Sequence, residues 1–249
     1  MSNIDLRFKH RPKQFDGLIG QNGNLSIVQR AILTRRKAMR IVFSGPYGCG
    51  KSTAKDITAT GFHCNNPNPL TGDPCYICEG CRMRNFIFSS HLYLEFDGTT
   101  FNTEQYDYMR EMLVYDTCGK FRVCVVEELH RLNITLQEKL LNLVENPMFD
   151  TTVFIIVVAN DNTYKVCEPL IQRFTHIKML VPSTQEIINW LRTICQQEGL
   201  PVKDEEALSM IADYSQNIPR RCLGNLEKFA ILEEPVSVDS VRKILDTRG

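Results

Sequence analysis

Eight consecutive residues, Gly45-Pro-Tyr-Gly48-Cys49-Gly50-Lys51-Ser52, carry the most specific chemistry in the sequence. They follow an apolar run, Met39 to Ser44, and precede a helical stretch, which is the context a phosphate-binding loop requires. Gly45, Gly48 and Gly50 let the backbone wrap closely, so that successive N–H groups point inward at phosphate oxygens. Lys51 is placed to reach the β and γ phosphates of ATP, and the Ser52 hydroxyl to ligate Mg²⁺. Cys49 lies inside the loop, where a helix N-terminus lowers a thiol's pKa. Such a loop needs an acidic partner at the end of another strand, and Phe121-Arg-Val-Cys-Val-Val-Glu127-Glu128 supplies one. Glu127 would hold the Mg²⁺ shell, and Glu128 would orient or deprotonate an attacking water.

A second cluster has metal-ligand spacing. Cys64, Cys75, Cys78 and Cys81 form C-x10-C-x2-C-x2-C, and four thiolates so spaced can close a tetrahedron around Zn²⁺. Gly72, Pro74 and Gly80 supply the tight backbone of such knuckles, and the expected site is structural. An iron–sulfur cluster also takes four cysteines, although the spacing departs from the ferredoxin pattern, and His63 or His91 could replace one thiolate. The other six cysteines (49, 118, 124, 167, 195 and 222) are scattered and read as core or surface residues.

Positioning these groups requires layered α/β structure. Met39 to Ser44, His91 to Phe96, Phe121 to Val126, Thr152 to Ala159 and Phe174 to Leu180 read as strands. Their near-continuous apolar character suits a mostly parallel, five-stranded sheet covered on both faces, with helices in the crossovers. After Leu180 the pattern turns helical. Ser183 and Glu186 are spaced as a capping box, Gly199-Leu-Pro201 stops that helix, and three more follow at about 204 to 214, 219 to 232 and 238 to 245. The expected division is a P-loop domain over 1–180, carrying a zinc module at about 62–86, and a small helical lid over 181–249.

The 249 residues are 43% hydrophobic, ample for such cores, and 29 basic residues cancel 29 acidic ones, which excludes a chain-wide attraction to polyanions. The run Arg35, Arg36, Lys37, Arg40 reads as a solvated helix end. No signal peptide is visible and the longest apolar run, Val153 to Ala159, is too short for a bilayer, so a cytoplasmic protein without a membrane partner is expected.

Taken together, the sequence resembles the ATPase subunits of DNA polymerase sliding-clamp loaders in the AAA+ superfamily, and among them the bacterial polymerase III gamma/tau family. The likeness begins at Arg11-Pro-Lys-Gln-Phe15 and Leu18-Ile-Gly-Gln21, and runs through the P-loop and the four cysteines. It continues in Val125-Val-Glu127-Glu128-Leu-His130, Leu140 to Pro147 and Val157-Val-Ala-Asn160-Asp161. The resemblance implies that Arg11 and Thr53 join the nucleotide-binding residues and that Asn160 is the first sensor, reading the γ-phosphate or water. It also implies that Arg173 is an arginine finger for a neighbouring subunit's ATP, and that Arg220 is the second sensor, carried by the lid. The implied partners are other clamp-loader subunits in a hetero-oligomeric ring, a sliding clamp, and primer–template DNA gripped by its backbone.

Three departures qualify the likeness. Glu127 stands where the family has Asp, and its extra methylene displaces the carboxylate that organises Mg²⁺, so slow hydrolysis is expected. Gln172 and Phe174 replace the Ser and Cys that flank the finger. The chain also stops where the family's collar domain should begin, as in a two-domain fragment or a divergent relative. A nucleotide-binding structural subunit with little hydrolysis of its own is the alternative that Glu127 keeps open.

Overall fold

Long β-branched runs with no polar face specify strands that must be covered on both sides. The computed structural model, which describes residues 5–83, 91–160 and 162–245, places them in one sheet. The strands are β1 (Arg40–Ser44), β2 (Tyr93–Asp97), β3 (Arg122–Glu127), β4 (Thr152–Val157) and β5 (Thr175–Lys178), in the order β2-β3-β4-β1-β5. Every pairing is parallel, as the apolar pattern predicts. Ile155 of β4 stands between Ile41 of β1 and Val125 of β3. All six β4 residues are buried, whereas the edge strands β2 and β5 expose alternate residues. Each fully buried Val or Ile of the central strands contributes about 1.5–3 kcal/mol.

The helices before and between the strands are α2 (Ser26–Leu33), α3 (Lys51–His63), α4 (Glu79–Met83), α5 (Thr103–Val114), α6 (Ile134–Glu145) and α7 (Glu168–Ile171). Asn102 and Asn133 cap α5 and α6, accepting from the backbone N–H groups of Gln105 and Leu136 at 2.9 Å. These caps register Tyr106, Met109, Leu136 and Leu140 against Leu94, Phe96, Val126 and Ile156 in one core cluster.

A second core is helical. Its elements are α1 (Leu6–Lys9), α8 (Thr184–Glu198), α9 (Glu205–Tyr214), α10 (Pro219–Leu232) and α11 (Val238–Leu245). The capping box is present: Ser183 accepts from the Glu186 N–H, and the Glu186 carboxylate accepts from the Ser183 N–H. Gly199 ends α8 in the left-handed conformation, and Pro219 opens α10 at its first position. Ile187, Leu191, Leu208, Ile211, Leu226 and Phe229 meet there, and Leu6 joins them.

Two compact units emerge from the contacts. One comprises the chain up to Asn22, Tyr47–Gly50 and the chain from Leu180 onward; the other comprises Gly23–Pro46 and Lys51–Met179. Residues 84–86 of the expected zinc module and Asp161 of the sensor-like motif lie outside the described residues. The basic run follows the end of α2, where Arg35, Arg36 and Lys37 are exposed, while Arg40 opens β1. Arg35 donates to the carbonyl of Phe62 at 2.7 Å and lies 4.7 Å from the centre of the Phe121 ring, and Arg40 donates twice to the carbonyl of Val144. The carbonyls these arginines satisfy come from distant segments, which a local reading of charge does not anticipate.

No described helix is long and apolar enough to cross a membrane.

Candidate nucleotide and metal sites

The loop after β1 is a tight, glycine-dependent turn. Gly45 has φ of +129°, and a β-carbon there would stand 2.4 Å from the Met179 carbonyl oxygen, so only glycine fits. Helix α3 starts at Lys51, which is buried; its Nζ donates to the carbonyl oxygens of Gly45 and Pro46, each at 2.8 Å. The ammonium is thus held over the loop by its own backbone. Ser52 and Thr53 follow, half-buried in the first turn of α3.

The ends of the parallel strands converge on this loop. Asn160, just past β4, exchanges backbone hydrogen bonds with Gly45: its N–H donates to the Gly45 carbonyl at 2.8 Å, and the Gly45 N–H donates back at 3.2 Å. Glu127 ends β3 and Glu128 follows it. Glu128 and Asn160 both take left-handed φ values, 50° and 53°. For Glu this is a rare conformation, and such strain gathers at functional sites. Burial raises the Glu128 pKa, with Glu127 and Asp97 adding to the effect while Lys51 and Arg131 oppose it. His130 stands 3.5 Å from Glu128 through Nε2, and burial together with Arg131, Lys165 and Lys51 lowers its pKa.

A side chain not anticipated from sequence sits behind this group. Lys55, one turn beyond Lys51 on α3, is buried and touches three carboxylates. Its Nζ lies 2.8 Å from Glu127 Oε1 and 3.3 Å from Asp56 Oδ1, and it bonds Glu95 Oε1. Glu95 is itself held by the Tyr93 hydroxyl at 2.7 Å. Burial disfavours the Lys55 ammonium, but Tyr93, Asp56, Glu95 and Glu127 outweigh it and its pKa is raised. A hydroxyl (Ser52) and carboxylates (Glu127, Glu128) are the hard oxygen donors that Mg²⁺ takes, so this donor set fits that ion. One Glu127 oxygen, however, is already engaged by Lys55.

The three expected arginines have these surroundings within their own units. Arg173 follows α7 and pairs with Glu145, both partly exposed. Arg220 lies in the first turn of α10, where its N–H approaches the Gly48 carbonyl at 3.5 Å. Arg11 is exposed, its N–H directed to the Phe8 carbonyl at 3.3 Å. Cys49 is buried.

All four clustered cysteines come together, with the sulfur atoms within 4.8 Å of one another. Cys64 lies 3.6 Å from Cys75 and 3.9 Å from Cys78, sulfur to sulfur. Zn–S bonds of about 2.3 Å give a tetrahedron with edges of about 3.8 Å, so the set fits Zn²⁺. Backbone N–H groups are aimed at the sulfurs: Cys75 at Cys64 (3.3 Å), Asn65 at Cys78 (3.3 Å) and Cys78 at Cys75 (3.4 Å). Burial works against a Cys78 thiolate, but the N–H groups of Asn65 and Cys81 and the neighbouring thiols hold its pKa at about 6. Burial raises those of Cys64 and Cys81. His91 is used elsewhere, its Nε2 3.0 Å from the Asp116 carbonyl, so the quartet is entirely sulfur.

Comparison with known proteins adds a family. A family model described as DNA polymerase III, delta subunit, matches residues 20–179. The chain is similar to DNA polymerase III subunit tau of Bacillus subtilis, at 26% identity over 88% of this chain and 38% of that protein. It is likewise similar to the replication factor C small subunit of Staphylothermus marinus, at 26% identity over 95% of this chain and 65% of that protein. It therefore spans less than two thirds of the length of either relative. Among solved structures, the RuvB Holliday junction branch migration motor of Thermotoga maritima superposes with a TM-score of 0.67 at 21% identity, covering 95% of this chain and 72% of that one. That likeness shows the fold alone, an α/β architecture built on a parallel sheet.

Proposed function

The chain belongs to the DNA polymerase III delta-subunit family of clamp-loader AAA+ ATPases, and from that premise we propose that it is an ATP-binding and ATP-hydrolysing subunit of a sliding-clamp loader acting in DNA replication. The observation that carries this reading is the junction of Gly45 with Asn160, which joins the phosphate loop to the end of β4 beside the buried Lys51. Gly45, Gly48, Cys49, Gly50, Lys51, Ser52 and Thr53 bind the nucleotide in this reading, with Arg11 and Arg220 assigned to it by the sequence motifs. Ser52 and Glu127 hold Mg²⁺, which when bound supplies countercharge to the phosphates. Glu128, whose raised pKa suits a base, holds and deprotonates the attacking water. Asn160 orients that water or the terminal phosphate. Arg173, at the surface, reaches a neighbouring subunit's nucleotide, where a planar, permanent charge suits developing phosphoryl charge. Cys64, Cys75, Cys78 and Cys81 hold a structural Zn²⁺.

The partners in this reading are further loader subunits, the sliding clamp and primer–template DNA bound through its backbone. Nucleotide binding stabilises the assembled, clamp-holding state and hydrolysis resets it. The test is ATP affinity and turnover, alone and with loader subunits, clamp and primed DNA. Binding with DNA-stimulated turnover is expected, and its persistence in Lys51→Ala would sink the reading.

A second reading is a nucleotide-binding structural subunit whose partners hydrolyse. The contact that favours it is Glu127 Oε1 with Lys55, which ties down the carboxylate on the Mg²⁺ side. Tight binding without turnover in the full assembly, with turnover gained in Glu127→Asp, would establish this one instead.

A further inference from the structure

Lys55 takes no part in the catalytic steps above, yet its charge is compensated by three carboxylates, one of which those steps use. Its ammonium is buried at 4% exposure of the residue, on the helix that begins with Lys51. Burying a cation is costly unless anions surround it. Here they come from three elements: Asp56 on α3, Glu95 on β2 and Glu127 on β3. Glu95 is fixed in turn by the Tyr93 hydroxyl, so the Lys55–Glu95 half of the network is anchored independently of the nucleotide site. Glu127 is the member shared with the site.

We propose that Lys55 is a positioning residue that competes with the divalent cation for Glu127, and so sets the Mg²⁺ requirement of nucleotide binding. The inference rests on the nucleotide-binding reading and adds to it a determinant of metal affinity. A single carboxylate cannot give its full charge to both an ammonium at 2.8 Å and a cation on its other side. Metal binding therefore works against the Lys55–Glu127 pair, and Glu95 decides how much of the Lys55 charge is left for Glu127.

Two substitutions should then move the metal requirement in opposite directions. Lys55→Met removes the resident cation, leaves Glu95 and Glu127 as uncompensated neighbours, and makes a divalent cation more welcome. Glu95→Gln removes the competing anion, concentrates the ammonium on Glu127, and makes the cation less welcome. A role of Lys55 in packing alone would not produce opposed shifts.

The experiment is fluorescence titration of a mant-ATP complex with Mg²⁺ for the wild type and both variants, with folding checked by circular dichroism. The expected result is an Mg²⁺ midpoint about threefold or more lower in Lys55→Met and higher by a similar factor in Glu95→Gln, the scale on which partly screened charge pairs act. Should Lys55→Met fail to fold, the rise in Glu95→Gln alone decides the matter. Equal midpoints in all folded proteins, or shifts of the same sign, overturn the inference while leaving the nucleotide-binding reading intact. Failure of the wild type to bind mant-ATP with or without Mg²⁺ overturns both.

Discussion

Gly80 lies against His63 so closely that a β-carbon on Gly80 would stand 1.9 Å from the His63 carbonyl oxygen. That approach brings the start of α4, with Cys81, onto the end of α3, beside Cys64. The opposing atom is backbone and cannot swing aside as a side chain would. Gly80→Ala should therefore open the cysteine quartet and destabilise the module by about 2–4 kcal/mol. Metal analysis of the purified variant should find its zinc content reduced, while Gly224→Ala, where a β-carbon meets nothing, should retain full content.

Removing the metal should act on the same module. The four sulfurs repel one another once ionised, and a pKa of about 6 at Cys78 favours that ionisation at neutral pH. Chelation should lower the melting temperature and release one equivalent of Zn²⁺ per chain; Cys75→Ser should bind less than one equivalent. Release of iron with loss of visible absorbance would establish the cluster alternative.

At the phosphate loop, Lys51→Ala deletes a side chain that donates to both the Gly45 and Pro46 carbonyls. Affinity for ATP should fall about tenfold to a hundredfold, measured by calorimetry, with little change in melting temperature. Glu128→Gln should bind ATP normally and lose turnover by a factor of about 10²–10⁴, because it keeps the shape of the side chain without the base.

Much of this was legible because the signals are local. Strand runs such as Val153–Val157 are apolar without interruption, helix α8 carries a capping box and a glycine stop at its ends, and the P-loop and cysteine spacings are short. Lys55 was not legible. A lone lysine on a helix looks solvated, and the carboxylates that bury it arrive from β2 and β3 only once the sheet has formed. Arg35 and Arg40 hid for the same reason, since the carbonyls they satisfy belong to α3 and α6. Leu6 joins the helical core from a four-residue helix too short to show a period.

Glu198 offers a pH test of the helical unit. Lys9 Nζ lies 2.7 Å from Oε2 and His10 Nε2 lies 2.5 Å from Oε1, tying α1 to the end of α8. Burial pushes the Glu198 pKa up, but the bonds from Lys9 and His10 outweigh it and the net shift is downward. A carboxylate with a depressed folded-state pKa stabilises above its unfolded value of about 4.5 and loses that contribution as pH falls through the folded one. Urea melts from pH 7 to pH 3 should show wild type and Glu198→Gln differing at neutral pH and converging in acid. A constant difference across that range would show that the ion pairs contribute nothing there.

Arg173 separates a role within one chain from a role between chains. It sits at the surface on Glu145, whose carboxylate is about as exposed as the guanidinium, so the pair is screened and contributes about 1 kcal/mol or less. Arg173→Ala should accordingly leave folding and ATP affinity of the isolated chain unchanged. In an assembled loader the same change should lower turnover at the adjoining site by about a thousandfold or more, the scale of a lost arginine finger. Glu145→Ala, which frees the arginine without removing it, should leave that turnover intact. Equal turnover in the Arg173→Ala assembly and the wild-type assembly would return Arg173 to the status of an ordinary surface ion-pair partner.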